Sequence, residues 1–226
     1  MTALCRLPLF AAALLLAACA DLMRIDFETD PVNQPPLEMP PSAELDLVTT
    51  FPAGGDIRVV NVDPVSGSRS LRLAGPSPGT AGQPRVRFQA QPLSASGRTV
   101  VVQWRGEISP DAIARFQIGV LEGSSELAIA PSLRFGNGIV TLGGISLTSY
   151  EPNESHLVSV VVDLSNGQSG LVLEGGVGEN QVLSNTLEIG ATQGRTVFLD
   201  AILESATGDE NYRIDNLFAQ DRGAAN

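Results

Sequence analysis

The sequence predicts an all-β protein, an antiparallel sandwich or barrel in one domain, on three observations. About a dozen short runs rich in Val, Ile, Leu and Phe recur along the chain, and several alternate apolar with polar residues, the period that turns one strand face to a core. Turn residues drawn from 23 Gly and 15 Pro separate these runs, at the spacing of roughly eight to twelve residues common in such folds. Only "SPDAIARF" carries helix-start chemistry, with Ser109 as N-cap and Pro110 at the first helical position, and it is short enough to be a single turn. No shift in composition divides the 226 residues, and one domain of this length buries a substantial core.

In chain order the first element is an export signal over residues 1–18. Arg6 and the amino terminus make its positive start. Leu7 to Leu16 form an apolar run of about ten residues, half of what a bilayer span needs. The run ends in "LAAC", Leu16 to Cys19, which resembles the lipobox of bacterial lipoproteins. That resemblance implies cleavage before Cys19, lipidation of the cysteine and a membrane anchor. With Ala20 where an inner-membrane retention signal places Asp, it also implies an outer-membrane lipoprotein of the cell envelope. Two or more acyl chains hold a membrane firmly where one does not. Cys5 leaves with the signal, so no disulfide forms in the mature chain. Residues 19–23 are then a lipidated tether, 24–222 the sandwich and 223–226 a disordered tail.

The first strand begins near Arg24, where Ile25 and Phe27 alternate with Asp26 and Glu28, and a Pro-rich stretch to Pro41 follows. "DIRVVNV", "RSLRLAG" and "PRVRFQA" come next; in the last, Val86 and Phe88 oppose Arg85, Arg87 and Gln89. In "RTVVVQWRGEIS", Val100, Val102, Trp104 and Ile108 share one face against Gln103, Arg105 and Glu107, which puts Trp104 in the core. "RFQIGVLE" sets Phe116, Ile118 and Val120 against Arg115 and Gln117. "SLRFGNG", "GIVTLGG" and "SGLVLEGG" are shorter runs, while the strands from Leu157 and Val197 are apolar on both faces, as central strands are. "NYRIDNLFAQ" closes the series.

Three of these stretches belong together. "DFETDPVNQPP" from Asp26, "SGSRSLRL" from Ser66 and "YRIDNLFAQD" from Tyr212 resemble the laminin-G-like, concanavalin-A-like jelly rolls of bacterial surface proteins, where an "FE", an "SG.rSL.l" strand and a terminal "IDN" strand recur. The resemblance implies an antiparallel two-sheet β-sandwich whose first and last strands lie side by side. It implies as well one structural calcium near those strands, with Glu28, Asp30 and Asp215 as oxygen donors. A solvated acidic edge that deters sheet-to-sheet association accounts for the same acids.

A formal charge of −11, from 25 acids and 14 Arg without any Lys, argues against nucleic acid as a partner and against holding an anionic membrane by basic charge. One His and no further cysteine exclude a metal site of His and Cys type. His156 opens an apolar strand and reads as a rim residue, since no G-x-S-x-G supports a nucleophile–histidine–acid set. Asp26 and Glu28 share a face, the nearest approach to a glycosidase pair, but on an edge strand with no third acid. Sugar binding wants an exposed ring. Tyr150, in "TSYEPNES", is the platform candidate, and polar faces carrying Arg72, Arg85, Arg87, Arg105 and Arg115 are candidates for acidic glycan or lipopolysaccharide phosphate. The expected protein is a non-catalytic envelope lipoprotein that binds glycan or serves as an accessory interaction module. The alternative is a polysaccharide-degrading hydrolase or lyase on the same fold.

Overall fold

A computed structural model describes residues 20–38, 47–76, 82–94, 98–122, 125–128, 131–164, 168–174, 181–184, 193–205, 208 and 210–224. The signal segment and Cys19 lie outside these. Among the described residues sixteen strands form two antiparallel sheets of eight, and no helix is long and apolar enough to cross a membrane. The first sheet runs β14 (Gln181–Ser184), β13 (Gln168–Glu174), β12 (His156–Asp163), β6 (Arg98–Ile108), β16 (Asn211–Ala224), β4 (Ser70–Ala74) and β3 (Asp56–Val60). β1 (Ala20–Ile25) also pairs with β16, further along the edge that β4 occupies. The second runs β11 (Ile145–Ser149), β10 (Ile139–Leu142), β9 (Leu133–Gly136), β7 (Ile113–Glu122), β15 (Thr196–Ser205), β5 (Arg85–Pro92) and β2 (Leu47–Phe51), with β8 (Ser125–Ala128) on β7.

The two sheets close on the faces that period-two alternation assigns. Val100, Val102, Trp104 and Ile108 of β6 are buried, as are Phe116, Ile118 and Val120 of β7 and Val86 and Phe88 of β5. Trp104 packs on Phe116 with ring centroids 4.7 Å apart, and its indole N–H donates to the Tyr212 hydroxyl at 3.0 Å. That hydroxyl explains Gly106: a Cβ there would lie 1.7 Å from the Tyr212 oxygen.

The terminal strands do lie side by side, with Arg24 opposite Phe218 and Ile25 opposite Leu217. β1 opens at Ala20 and β16 runs to Ala224, so strand takes in residues 20–23 and 223–224 as well as the ends of the 24–222 span, and Cys19 lies outside the described residues. Leu22, Met23 and Ile25 are all buried, which is what binds the segment to the sheet. The "SPDA" start of the "SPDAIARF" stretch is a turn that leads into β7. Ala112 N–H donates to the Ser109 carbonyl, and the Ser109 hydroxyl accepts from Asn211 N–H at 2.8 Å instead of capping a helix. β2, β8, β11 and β14 were not legible as separate strands; each is only four or five residues long at or near a sheet edge.

β16 is the spine that positions everything on the outer face of the first sheet. It pairs Asp215 with Arg105 and Phe218 with Gln103, advancing three residues while β6 advances two. Asn216, at φ +47°, takes up the extra residue as a bulge. The bulge keeps Asp215 buried and sets Phe218 beside Gln103.

Candidate functional site

On the solvent side of the first sheet, the outward residues of β6, β12, β16 and β1 enclose a cleft of about 430 Å³. Arg24, Asp26, Gln103, Arg105, Leu157 and Phe218 line it. Phe218 is half-buried at the centre, flanked by cross-strand neighbours Arg24 on β1 and Gln103 on β6. Gln103 donates through Nε2 to Ser159 Oγ, which fixes the amide's orientation. Arg105 lies opposite Leu157 on one side and Asp215 on the other. The result is an apolar floor of Phe218 and Leu157, ringed by the Arg24 and Arg105 guanidinium groups, the Gln103 amide and the Asp21 and Asp26 carboxylates. Alternation along β6 had already put Gln103 and Arg105 on one polar face. Phe218 and Arg24 were missed as site residues, because the bulge that aims Phe218 leaves no trace in a period-two pattern.

At the Asp26 end of the cleft lies a cluster of acids. Glu28 is fully engaged, one oxygen accepting the Ser68 N–H at 2.8 Å and the other the Ser68 hydroxyl, with Arg69 N–H adding a third bond. These bonds, through the Ser68 hydroxyl first, hold its carboxyl below the usual range. Asp30 uses one oxygen for Leu37 N–H at 3.0 Å and leaves Oδ1 buried without a partner. Asp215 is 1% exposed; Oδ1 accepts Asn216 N–H at 2.7 Å, and Oδ2 is buried without a partner. Burial, with Glu28 and Asp26 nearby, pushes the Asp215 carboxyl up to about 7. Glu28, Asp30 and Asp215 do not converge as the three-carboxylate calcium site expected of them: among the described residues no three acids, His or Cys are placed to hold a metal ion. The reason is local. Phe27, at φ +58°, breaks the alternation between Asp26 and Glu28, and Glu28 closes onto the Ser66–Arg69 loop.

The other sequence candidates lie elsewhere. Tyr150 is 4% exposed, packed edge-on against Phe135 at 5.5 Å, so it offers no stacking surface to solvent. His156 is not at the rim: it is 2% exposed and stacked on Phe135 at 5.0 Å, where burial drives its pKa down to about 4. Arg85 and Arg87 are on the outer face of the second sheet, away from the cleft. Arg87, 6% exposed, grips Asp200 bidentately at 2.7 and 2.6 Å and Glu126 at 2.5 Å. Arg85 lies 3.6 Å from Asp200 and 4.2 Å over the Phe51 ring. Strand pairing puts Arg87 directly opposite Asp200, and that buried ion pair withholds the Arg87 guanidinium from other anions. Of the sequence-named arginines, Arg105 alone lines the cleft.

No family model and no curated protein sequence matches the chain. Solved structures do. The chain is similar to the binding domain of botulinum neurotoxin serotype D at 10% identity and a TM-score of 0.54, over 91% of this chain and 49% of that one. It is similar also to the conserved carbohydrate esterase of Shiga toxin-encoding bacteriophage phi24B, at 10% identity and a TM-score of 0.53, over 92% of this chain and 100% of that one. A lectin from Bauhinia forficata in complex with GalNAc matches 80% of this chain and 100% of its own, with 13% identity and a TM-score of 0.44. At these identities the likeness is one of fold, a two-sheet antiparallel β-sandwich.

Proposed function

We propose that this protein is a glycan-binding module whose ligand lies in the cleft on the β6–β16 face. The observation that carries the reading is Phe218. A half-buried ring at the floor of a depression, ringed by the Gln103 amide and the Arg105 guanidinium, matches what a sugar needs: a flat apolar surface for its C–H face and hydrogen-bonding groups for its hydroxyls. A structural neighbour with the same fold is a carbohydrate esterase, so the architecture serves sugars elsewhere. Binding rather than hydrolysis is favoured by spacing. The carboxylates lining the cleft are Asp21 and Asp26, five residues and about 16 Å apart along extended chain, whereas an inverting pair stands roughly 6.5–9.5 Å apart.

The module is carried at the outer membrane by a lipid on Cys19, a reading that rests on the "LAAC" motif closing an apolar run. With β1 opening at Ala20, such an anchor would hold the sandwich directly against the bilayer. Mass spectrometry of the protein from its native membrane tests this; an unmodified Cys19 removes it. The test of the module itself is a glycan-array screen of wild type against Phe218→Ala. Wild type binds a set of glycans and the variant loses them at an unchanged melting temperature. Retention of the same glycans by Phe218→Ala excludes this cleft as the site.

A further inference from the structure

A second depression on the same sheet face has a different chemistry. Across three adjacent strands, Arg58 of β3 stands directly opposite Arg72 of β4, and Arg72 opposite Arg213 of β16. Like charges placed directly across a sheet repel, so a row of three guanidinium groups is a costly arrangement that neighbouring acids must hold. Asp56 does so at one end, 2.9 Å from Arg58 Nε and 3.7 Å from Arg72 Nη1. Glu107 does so at the other, 2.8 Å from Arg213 Nη2, while the Asp63 carbonyl accepts from Arg213 Nη1. Neither Asp56 nor Glu107 lines the groove of about 290 Å³ that the row borders. Its polar lining is instead the three arginines, Asn33, Asn61 and Asn211, with Asp63 as the single carboxylate, and Val60 and Val62 supply the apolar part. A guanidinium only donates hydrogen bonds, and its planar fork matches an oxyanion. The overall charge of −11 does not oppose this, because at physiological salt charges beyond about 8 Å are largely screened.

We propose that the Arg58–Arg72–Arg213 row is an anion subsite, so that the saccharide this protein recognises carries carboxylate, sulfate or phosphate groups; the assignment to a saccharide rests on the glycan reading above. The two depressions share a face. Arg213 pairs with Glu107 and Phe218 with Gln103, and these β6 partners are four residues, about 13 Å, apart. One oligosaccharide is long enough to seat an apolar sugar face on Phe218 and an acidic substituent against the arginines.

The experiment is calorimetric titration of the purified full chain with dextran, dextran sulfate and polygalacturonate, for wild type, Arg58→Gln, Arg72→Gln and Phe218→Ala. At least one acidic polymer binds about tenfold or more tighter than dextran, and Arg58→Gln and Arg72→Gln erase that preference. Arg58 is 40% exposed on the edge strand, so Arg58→Gln carries the test even if Arg72→Gln fails to fold. Equal affinity for dextran and both acidic polymers, lost in Phe218→Ala, overturns the anion subsite and leaves the glycan cleft standing. Acidic-polymer binding lost in the arginine variants but kept in Phe218→Ala supports the subsite and removes the cleft. No binding of any polymer overturns both.

Discussion

Replacing Asp215 with Asn should make the protein more stable at pH 8 in the presence of a chelator. Asp215 is buried on the bulge of β16 with an unpartnered oxygen, beside Glu28 and Asp26, and its carboxyl is pushed up to about 7. An unfolded Asp titrates near 3.9. Between these values the folded chain holds a proton that the unfolded chain releases, so this group's contribution is greatest below about pH 4 and is lost as pH rises through 7. The difference of about three pK units sets a ceiling near 4 kcal/mol at pH 8, and relaxation around the charge brings the expected cost to about 2 kcal/mol. Asn keeps an oxygen for the Asn216 N–H and discards the charge. In a sandwich of this size about 2 kcal/mol raises the melting temperature by roughly 4–8 °C. Thermal melts by circular dichroism should show that gain at pH 8 and none at pH 4. If a cation binds at Asp215, excess calcium raises the wild-type melting temperature at pH 8 and leaves Asp215→Asn unmoved. An Asp215→Asn protein that melts below wild type at pH 8 in chelator refutes the argument.

Four further outcomes can be checked. His156, buried with its pKa lowered from 6.5 to about 4, opposes Asp215: its contribution is present above 6.5 and lost as pH falls toward 4. Because the Asp215 contribution grows as pH falls, Asp215→Asn should lose about 2 kcal/mol more than wild type between pH 7 and 4, readable in urea unfolding midpoints; equal losses in the two proteins contradict this. Gly106→Ala drives a Cβ onto the Tyr212 oxygen and breaks its bond to Trp104, costing about 2–3 kcal/mol by denaturant titration. Arg87→Ala strands Asp200 in a buried position and should cost about 3–5 kcal/mol. Arg105→Ala, on the solvent side of the cleft, should change stability by under about 0.5 kcal/mol while weakening glycan binding.

Much of the sandwich was legible because strand faces follow from a local rule. Alternation is a property of adjacent residues, so Val100, Val102 and Trp104 were assigned inward and Gln103 and Arg105 outward before any partner strand was known. The pairing of first and last strands was instead an expectation of the family resemblance carried by the stretches from Asp26 and Tyr212. Whether an outward residue meets solvent, an ion or a ligand is not local. Arg87 and Arg105 look alike in sequence, each on the polar face of an alternating strand. Arg87 is closed off by Asp200, 113 residues away, while Arg105 opens into the cleft because Leu157 and Phe218 arrive beside it from other strands. Tyr150 was read as exposed from its loop-like stretch and His156 as a rim residue from its place at a strand end, and Phe135, from another strand, packs on both. Period-two patterning thus determined the strands and their inner faces. Register across β16, with its one-residue bulge, decided where the cleft, the arginine row and the buried carboxylate would be, since side chains distant in sequence meet only once the sheet has paired.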